Sequence, residues 1–367
     1  MTSLDPPTQH EPTQHEPTQH EPRLLRRAAA LNDRLLDWRS ARARSAGYRE
    51  TVIPYPGYGS SSWVRVLGRV LLADPERERD RRSRGVAVGQ RDPEGSRGWR
   101  SFTSVPVRDA VVDVEVDGTR HQVRSDVNGI VDALVPVSLT PGRHRGYLSA
   151  DGSTPNEAWI TVAAPEARFG VVSDIDDTVM ITALPRPLLA AWHSFVVNEH
   201  ARSTTPGMPV LYERLLEAHP QAPVIYLSTG AWNVAPTLTR FLSRNLYPTG
   251  PLLLTDWGPT PDRWFRSGPD HKRASLRRLA TEFPEVKWLL FGDDGQHDEA
   301  IYAGFSAEFP GHVAAVCIRR LTPGEAVLAG STNRSHSIGD GQVPWIYGYD
   351  GAELAAGLQD HGLLPTR

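Results

Sequence analysis

The sequence predicts a doubly wound α/β domain preceded by an antiparallel β-sandwich domain, and three observations carry that expectation. After residue 166, continuous apolar runs (FGVVS, APVIYLS, LLL, VKWLLFG, VAAVCI) alternate with amphipathic stretches such as LYERLLEAH and KRASLRRLATEF. Strands that are apolar throughout, with helices between them, mean a parallel sheet covered on both faces. Residues 51–165 instead alternate apolar with polar side chains over short stretches, punctuated by Gly, Pro, Asn and Asp, as half-buried antiparallel strands do. The rhythm changes at Ala164-Pro165, and the 367 residues suffice for two cores.

Taken in order, residues 1–22 hold the pentad PTQHE three times, which has no apolar face to bury and is expected to be a disordered tail. Residues 23–50 form a basic amphipathic helix: Leu24, Ala28, Leu31, Leu35 and Trp38 recur at steps of four and three, with arginines around them. Such a stripe either packs on the next domain, the favoured expectation, or lies on an anionic membrane. Within 51–165, WVRVLGRVLL, AVVDVEVDG, RHQVRSDVNGIVDALVPV and AWITVAA read as strands, with Asp117-Gly118 and Asn128-Gly129 as hairpin turns. The charged insert at 75–85 reads as a mobile loop. Residues 166–367 form the α/β domain, closed by a helix in YDGAELAAGLQDHGLL.

Composition sets limits. With 40 basic and 43 acidic residues the net charge is −3, which excludes a globally basic nucleic-acid coat. A single cysteine, Cys317, forms no intramolecular disulfide and fits a reducing compartment. No apolar run reaches the roughly 18–20 residues of a membrane-spanning helix, and no secretory signal is visible. The expected location is cytoplasmic, with peripheral contact at the inner membrane surface if the basic helix docks there.

Four motifs carry the chemistry. FGVVSDIDDTVM runs an apolar strand into Asp174, Asp176, Asp177 and Thr178, where ligands of a doubly wound sheet bind. Carboxylates crowded at a strand end repel one another, and a divalent cation offsets that; the bland alternative is an acidic turn capping the next helix. PVIYLSTG ends in Ser228 and Thr229, whose hydroxyls suit phosphate oxygens, although Ser-Thr-Gly is also ordinary turn chemistry. Lys272 stands at a helix start, and the 40 basic residues include only one other lysine, Lys287; a compact ammonium serves a phosphate or a carboxylate nucleophile. VKWLLFGDDGQHD ends a second strand in Asp293 and Asp294, followed by Asp298.

This order resembles the haloacid dehalogenase-like phosphohydrolase superfamily. VIPYPGYGSSSWVRVLGRVL, SDIDDTV, YLSTGAW, DWG and FPEVKWLLFGDDGQHDEAIY resemble, more narrowly, the actin-patch-type phosphatidate phosphatase family, over roughly residues 50–365. Two departures stand out: Thr229-Gly230-Ala231-Trp232 where the family usually has Asn or Ser and then Pro before the Trp, and Asp294 where it usually has Ser. The resemblance implies a Mg²⁺-dependent hydrolase for phosphatidate. Asp174 would be the nucleophile and Asp176 the general acid and base. Mg²⁺ would sit on Asp174, the Asp176 carbonyl and Asp293, while Thr178, Ser228, Thr229 and Lys272 would hold substrate and Asp294 and Asp298 would support the ligands from behind. The short interval from Asp174 to Ser228 leaves no room for a large folded cap, and Trp192 and Phe195 in it line an open site or pack in the core. A phosphatase for soluble phosphomonoesters or phosphoproteins is the alternative, and an inert scaffold is a third reading.

Overall fold

The computed structural model describes residues 23–76, 105–181, 203–255, 267–295, 297–329 and 343–366. The PTQHE tail, most of the charged insert, Trp192, Phe195 and Asp256-Trp257-Gly258 lie outside the described residues.

Helix α1 (Arg23–Ser45) leads into the first sheet. Leu35 and Trp38 do not pack on the next domain as expected: they are 53% and 60% exposed. The helix touches the β domain through Ala43, which at about 100° per residue lies roughly 80° and 140° around the helix from Leu35 and Trp38.

Strands β1 (Arg49–Gly59), β2 (Trp63–Ala73), β3 (Val105–Pro106), β4 (Val111–Val116), β5 (Thr119–Arg124), β6 (Ile130–Pro136), β7 (Gly142–Ala150) and β8 (Asn156–Val162) form one hydrogen-bonded sheet. Its order is β3-β2-β1-β8-β7-β4-β5, with β6 also paired to β2. The β1–β8 pairing is parallel and the others antiparallel. Alternate residues such as Val112, Val114 and Val116 turn inward to a core shared with Val52, Val66, Leu148 and Ile160. Asp117 and Gly118 both take positive φ, 49° and 74°, and close the β4–β5 hairpin. Asn128-Gly129 does not make a hairpin: the strand after it, β6, leaves β5 to pair with β2.

Strands β9 (Phe169–Asp174), β10 (Met180–Ile181), β11 (Ser203–Thr204), β12 (Val224–Ala231), β13 (Leu252–Thr255), β14 (Lys287–Asp293), β15 (Val313–Arg319) and β16 (Trp345–Gly348) build the second half. Of these, β10 and β11 pair as a short antiparallel ribbon. The other six form a parallel sheet in the order β13-β12-β9-β14-β15-β16, and their near-continuous burial explains their unbroken apolar sequence. Helices α2 (Met208–Ala218), α3 (Ala235–Arg244), α4 (Ser267–Glu282), α5 (Asp298–Glu308), α6 (Pro323–Ala329) and α7 (Gly351–Asp360) connect or follow them. From β9 the chain moves to β12 and β13 on one side, then returns to β14 on the other and continues outward. The order therefore reverses between β9 and β14, a crevice where doubly wound sheets bind ligands.

Candidate active site

Asp174 ends β9 and Asp293 ends β14, so both buried residues stand at the carboxyl edge of the sheet where the strand order reverses. The backbone of Asp174 is fixed from behind: Ser173 Oγ donates to its carbonyl at 2.7 Å, and Tyr212 Oη donates to Ser173 Oγ at 2.6 Å. The chain then folds into a tight turn. Ile175 O accepts from the amides of Val179 and Met180 at 3.2 and 3.0 Å, and Asp177 takes the left-handed conformation with φ 58°. Asp is one of the few residues besides Gly that tolerates this region.

Lys272, in the first turns of α4, is fully surrounded by protein. Its Nζ lies 2.6 Å from Asp174 Oδ1 and 2.5 Å from Asp298 Oδ1. Asp298, at the start of α5, also accepts from the Asp293 amide at 3.4 Å. Oxygens of Asp174, Asp293 and Asp298 lie within 4.8 Å of one another, and all three residues are buried. On the opposite side, Ser228 Oγ donates to Asp176 Oδ2 at 2.9 Å and accepts from the Gly230 amide at 2.9 Å.

Six of the residues singled out from sequence thus meet: Asp174, Asp176, Ser228, Lys272, Asp293 and Asp298. Thr178 is buried beside them in the turn. Thr229 follows Ser228 in β12, and its backbone carbonyl accepts from Thr255 Oγ1 at 2.9 Å. Asp294 turns away from the crevice and accepts from the Leu321 amide at 2.9 Å, bracing the exit of β15. Asp298 stands among the charged groups themselves, not behind them.

Arg319 was missed. It is buried at the end of β15, donates from Nη1 to the Asp177 carbonyl at 2.7 Å and pairs with Glu325 at 2.7 Å. It therefore clamps the acidic turn from beneath. Nothing in an arginine-rich sequence distinguishes it from its neighbours.

The electrostatics follow from burial. Removal from water pushes the Asp174 carboxyl well above the usual carboxylate range, against the pull of the Lys272 ammonium, and Asp298 and Asp176 add to the rise. Asp293 is raised by burial first and then by Asp298 and Asp174. Burial works against the Lys272 charge, but Asp174 and Asp298 outweigh it and hold the proton more firmly than usual. One ammonium faces three carboxylates, so the cluster carries an excess of acid. Among the described residues, Asp174 Oδ2 and Asp293 Oδ2 are buried with no hydrogen-bond partner. An all-oxygen donor set with idle lone pairs fits a hard divalent cation.

Close approach makes this arrangement possible. A Cβ on Gly292 would lie 2.7 Å from both Asp298 Cβ and Asp298 Oδ2, and equally close to the Tyr302 ring. Gly292→Ala is expected to cost about 1–3 kcal/mol in denaturant unfolding, because overpacking a filled core forces its neighbours aside, and to displace Asp298.

Residues 169–320 match the family model described as phosphatidate phosphatase APP1, catalytic domain. This segment is similar to an APP1-type catalytic domain. The phosphatidate phosphatase APP1 of Saccharomyces cerevisiae is 27% identical over 154 residues, covering 41% of this chain and 26% of that protein. An uncharacterised protein of Schizosaccharomyces pombe is 25% identical over 172 residues, covering 46% of this chain and 28% of that protein. The chain thus spans little more than a quarter of the length of these relatives. A carbohydrate acetylesterase from Xanthomonas citri superposes with a TM-score of 0.25 at 9% identity, over 75% of this chain and 70% of that one, a value too low to bear on the fold. The APP1-type match begins at β9 and ends just beyond β15, so it contains all six converging residues.

Proposed function

We propose that the protein hydrolyses phosphate monoesters through an aspartyl-phosphate, with phosphatidate as the substrate and diacylglycerol as the product. The observation that carries this reading is the buried contact of Lys272 with Asp174 and Asp298 beside the unpaired oxygen of Asp293. A carboxylate held by one ammonium at a sheet crevice is oriented as a nucleophile. In the first step an Asp174 oxygen forms a bond to phosphorus and the bond to the lipid oxygen breaks. Asp176 gives its proton to that leaving oxygen. In the second step water attacks phosphorus, the bond to Asp174 breaks, and Asp176 takes up a proton from the water. Lys272 offsets charge on the phosphoryl oxygens. Ser228, whose hydroxyl rests on Asp176, transfers that hydrogen bond to a phosphoryl oxygen when substrate arrives.

Mg²⁺ is the cation this donor set suits. Asp174, Asp293 and the Asp176 carbonyl would hold it, and its contribution when bound is to neutralise phosphate charge that repels the nucleophile. Asp174 and Asp293 take part only when ionised, so binding displaces protons from them. Without cation, carboxyls with raised folded-state pKa keep protons that the unfolded chain releases. Their contribution to stability is therefore full below the ordinary carboxylate range and is lost as pH rises toward the folded-state values. Mg²⁺ should accordingly raise the melting temperature more at pH 7.5 than at pH 5, by an amount corresponding to about 2.7 kcal/mol at one hundred times its dissociation constant. Asp293→Ala should remove the shift, and full phosphate release in excess chelator would sink the metal reading.

The lipid substrate is supported by the name of the yeast relative and by α1, whose exposed Leu35 and Trp38 stand among Arg34, Arg39 and Arg42. No helix among the described residues is long and apolar enough to cross a membrane. An apolar stripe edged with arginines suits the surface of an anionic bilayer, each basic residue adding on the order of 1 kcal/mol. Long-chain phosphatidate in vesicles should be turned over faster than glycerol 3-phosphate at equal concentration. Deleting residues 1–45 should abolish vesicle binding while leaving the rate on a soluble phosphomonoester unchanged. Equal turnover of soluble and vesicle-held phosphates would leave the general phosphatase in its place.

A further inference from the structure

Helix α4 has two buried sides. Lys272, Leu276, Leu279 and Phe283 follow one another at helical spacing and are buried in the α/β half. The stripe one residue earlier, His271, Ser275, Arg278 and Glu282, is buried or half-buried, and its last two members, Arg278 and Glu282, contact the β domain. Arg273, Ala274, Arg277 and Thr281 complete the circle and are exposed.

The contacts of the second stripe are charged and specific. Glu282 accepts from Tyr58 Oη at 2.7 Å and from Arg65 Nε at 2.9 Å. Arg65 also pairs with Asp132, and Asp132 in turn pairs with Arg278 at 2.7 Å. Two carboxylates and two guanidiniums alternate between β2, β6 and α4. Beneath them, Tyr58 and Trp63 pack on Phe283 with ring centroids 6.0 and 5.4 Å away, and Phe283 packs on Trp288 of β14 at 5.8 Å. His271, pushed down to about 4 by burial, is uncharged at neutral pH and ties the helix to β13 through the Leu253 carbonyl at 3.2 Å. A second contact reaches the segment after β12: the Tyr55 ring stacks on Trp232 at 4.8 Å, and its hydroxyl donates to the Trp232 carbonyl at 3.1 Å.

A partly buried ion network adds little stability over apolar packing of the same shape, because desolvation and solvent screening offset the attraction. What a network of fixed forks contributes is geometry. These two contacts fall on elements that carry site residues, the first on α4, which bears Lys272, and the second just after β12, which bears Ser228. We propose that the β domain is a brace that positions Lys272, through the Asp132–Arg65–Glu282–Arg278 network on α4, and Ser228, through Tyr55 against Trp232. Asp132, Arg65, Arg278 and Glu282 are thus positioning residues. A shift of about 1 Å at a catalytic group costs on the order of a hundredfold in rate, so a helix held from one side alone would leave the ammonium poorly placed.

This inference rests on the proposed role of Lys272, and its test keeps the two separable. Asp132→Asn and Glu282→Gln are made in the full-length chain, with Arg277→Gln as a control, since Arg277 pairs with Glu308 at 2.8 Å on the exposed side of the same helix. Amide hydrogen exchange over residues 267–276 is measured by mass spectrometry, and kcat and KM are measured on p-nitrophenyl phosphate. Both brace variants should speed exchange in that segment about tenfold, an opening confined to one unit of structure. They should also lower kcat about tenfold with KM within about twofold, a loss of placement and not of uniform binding. Arg277→Gln should change neither, and Asp132→Glu should recover most of the rate. Unchanged exchange over 267–276 in both variants would overturn the brace. So would exchange that rises evenly along the chain in step with a lower melting temperature. If the wild-type protein releases no phosphate from any ester, the phosphatase reading falls while the exchange measurement still decides the brace.

Discussion

Asp174→Asn is expected to abolish turnover. The amide keeps the size of the side chain and its place at the end of β9, so the fold should survive; what it lacks is an oxygen able to bond to phosphorus as an anion. It also offers a weaker donor to the proposed cation, so the proposed nucleophile and metal site would fail together. A loss of at least about a thousandfold in kcat, some 4 kcal/mol of transition-state stabilisation, is the expected measurement. Stability should move the other way. Asn removes one of three buried carboxylates around one ammonium, and relief of that crowding should raise or preserve the midpoint of denaturant unfolding in chelator. Retention of more than about a tenth of the wild-type rate, roughly a 1.4 kcal/mol effect, would remove Asp174 as nucleophile.

Lys272→Met should be the more damaging change, because it strikes stability and turnover at once. Methionine fills a similar shape but leaves Asp174 and Asp298 facing each other without the ammonium that lies 2.6 and 2.5 Å from them. Removing one member of a buried ionic cluster costs about 3–5 kcal/mol, since the remaining charges are stranded away from water. The protein escapes part of that cost by protonating a carboxylate, so the deficit should be smaller at pH 5 than at pH 8. Turnover should fall by at least about a hundredfold, or about 2.7 kcal/mol, through loss of charge on the phosphoryl oxygens. Denaturant unfolding at the two pH values, beside single-turnover phosphate release, measures both. A variant as stable as wild type at pH 8 would mean that the buried cluster does not depend on this lysine.

Much of the α/β half was legible as pattern. The runs FGVVS, APVIYLS, LLL, VKWLLFG and VAAVCI all became parallel strands, since a strand buried on both faces has no polar side to interrupt its sequence. The edge strand β16 was missed because Trp345–Gly348 is short and lacks such a run. In the first domain β1 was hidden by Pro54 and Pro56; Pro54 stays in the ladder opposite Gly68, and Pro56 falls within the register shift between Tyr55 and Tyr58. Strand β7 was hidden by its small inward residues Gly146 and Ala150 on either side of Leu148.

The residues of the candidate site divide in the same way. Asp174, Asp176 and Asp293 were found because each stands at or just beyond the end of an apolar strand, and strand direction alone places such residues at one edge of a parallel sheet. Local sequence also marked Lys272, as a rare lysine at a helix start. It did not say that Lys272 would reach Asp298 as well as Asp174, that Asp294 would turn away to the Leu321 amide, or that Arg319 would clamp the acidic turn. Those outcomes depend on distances between segments far apart in the chain, set by how β9, β14 and β15 lie side by side and how α4 packs on β12 and β13. The docking of the β domain on α4 belongs with them. Periodicity reports which face of an element is apolar, because that is a property of one segment; which charged group completes a buried cluster is decided only when several segments close on it and exclude water.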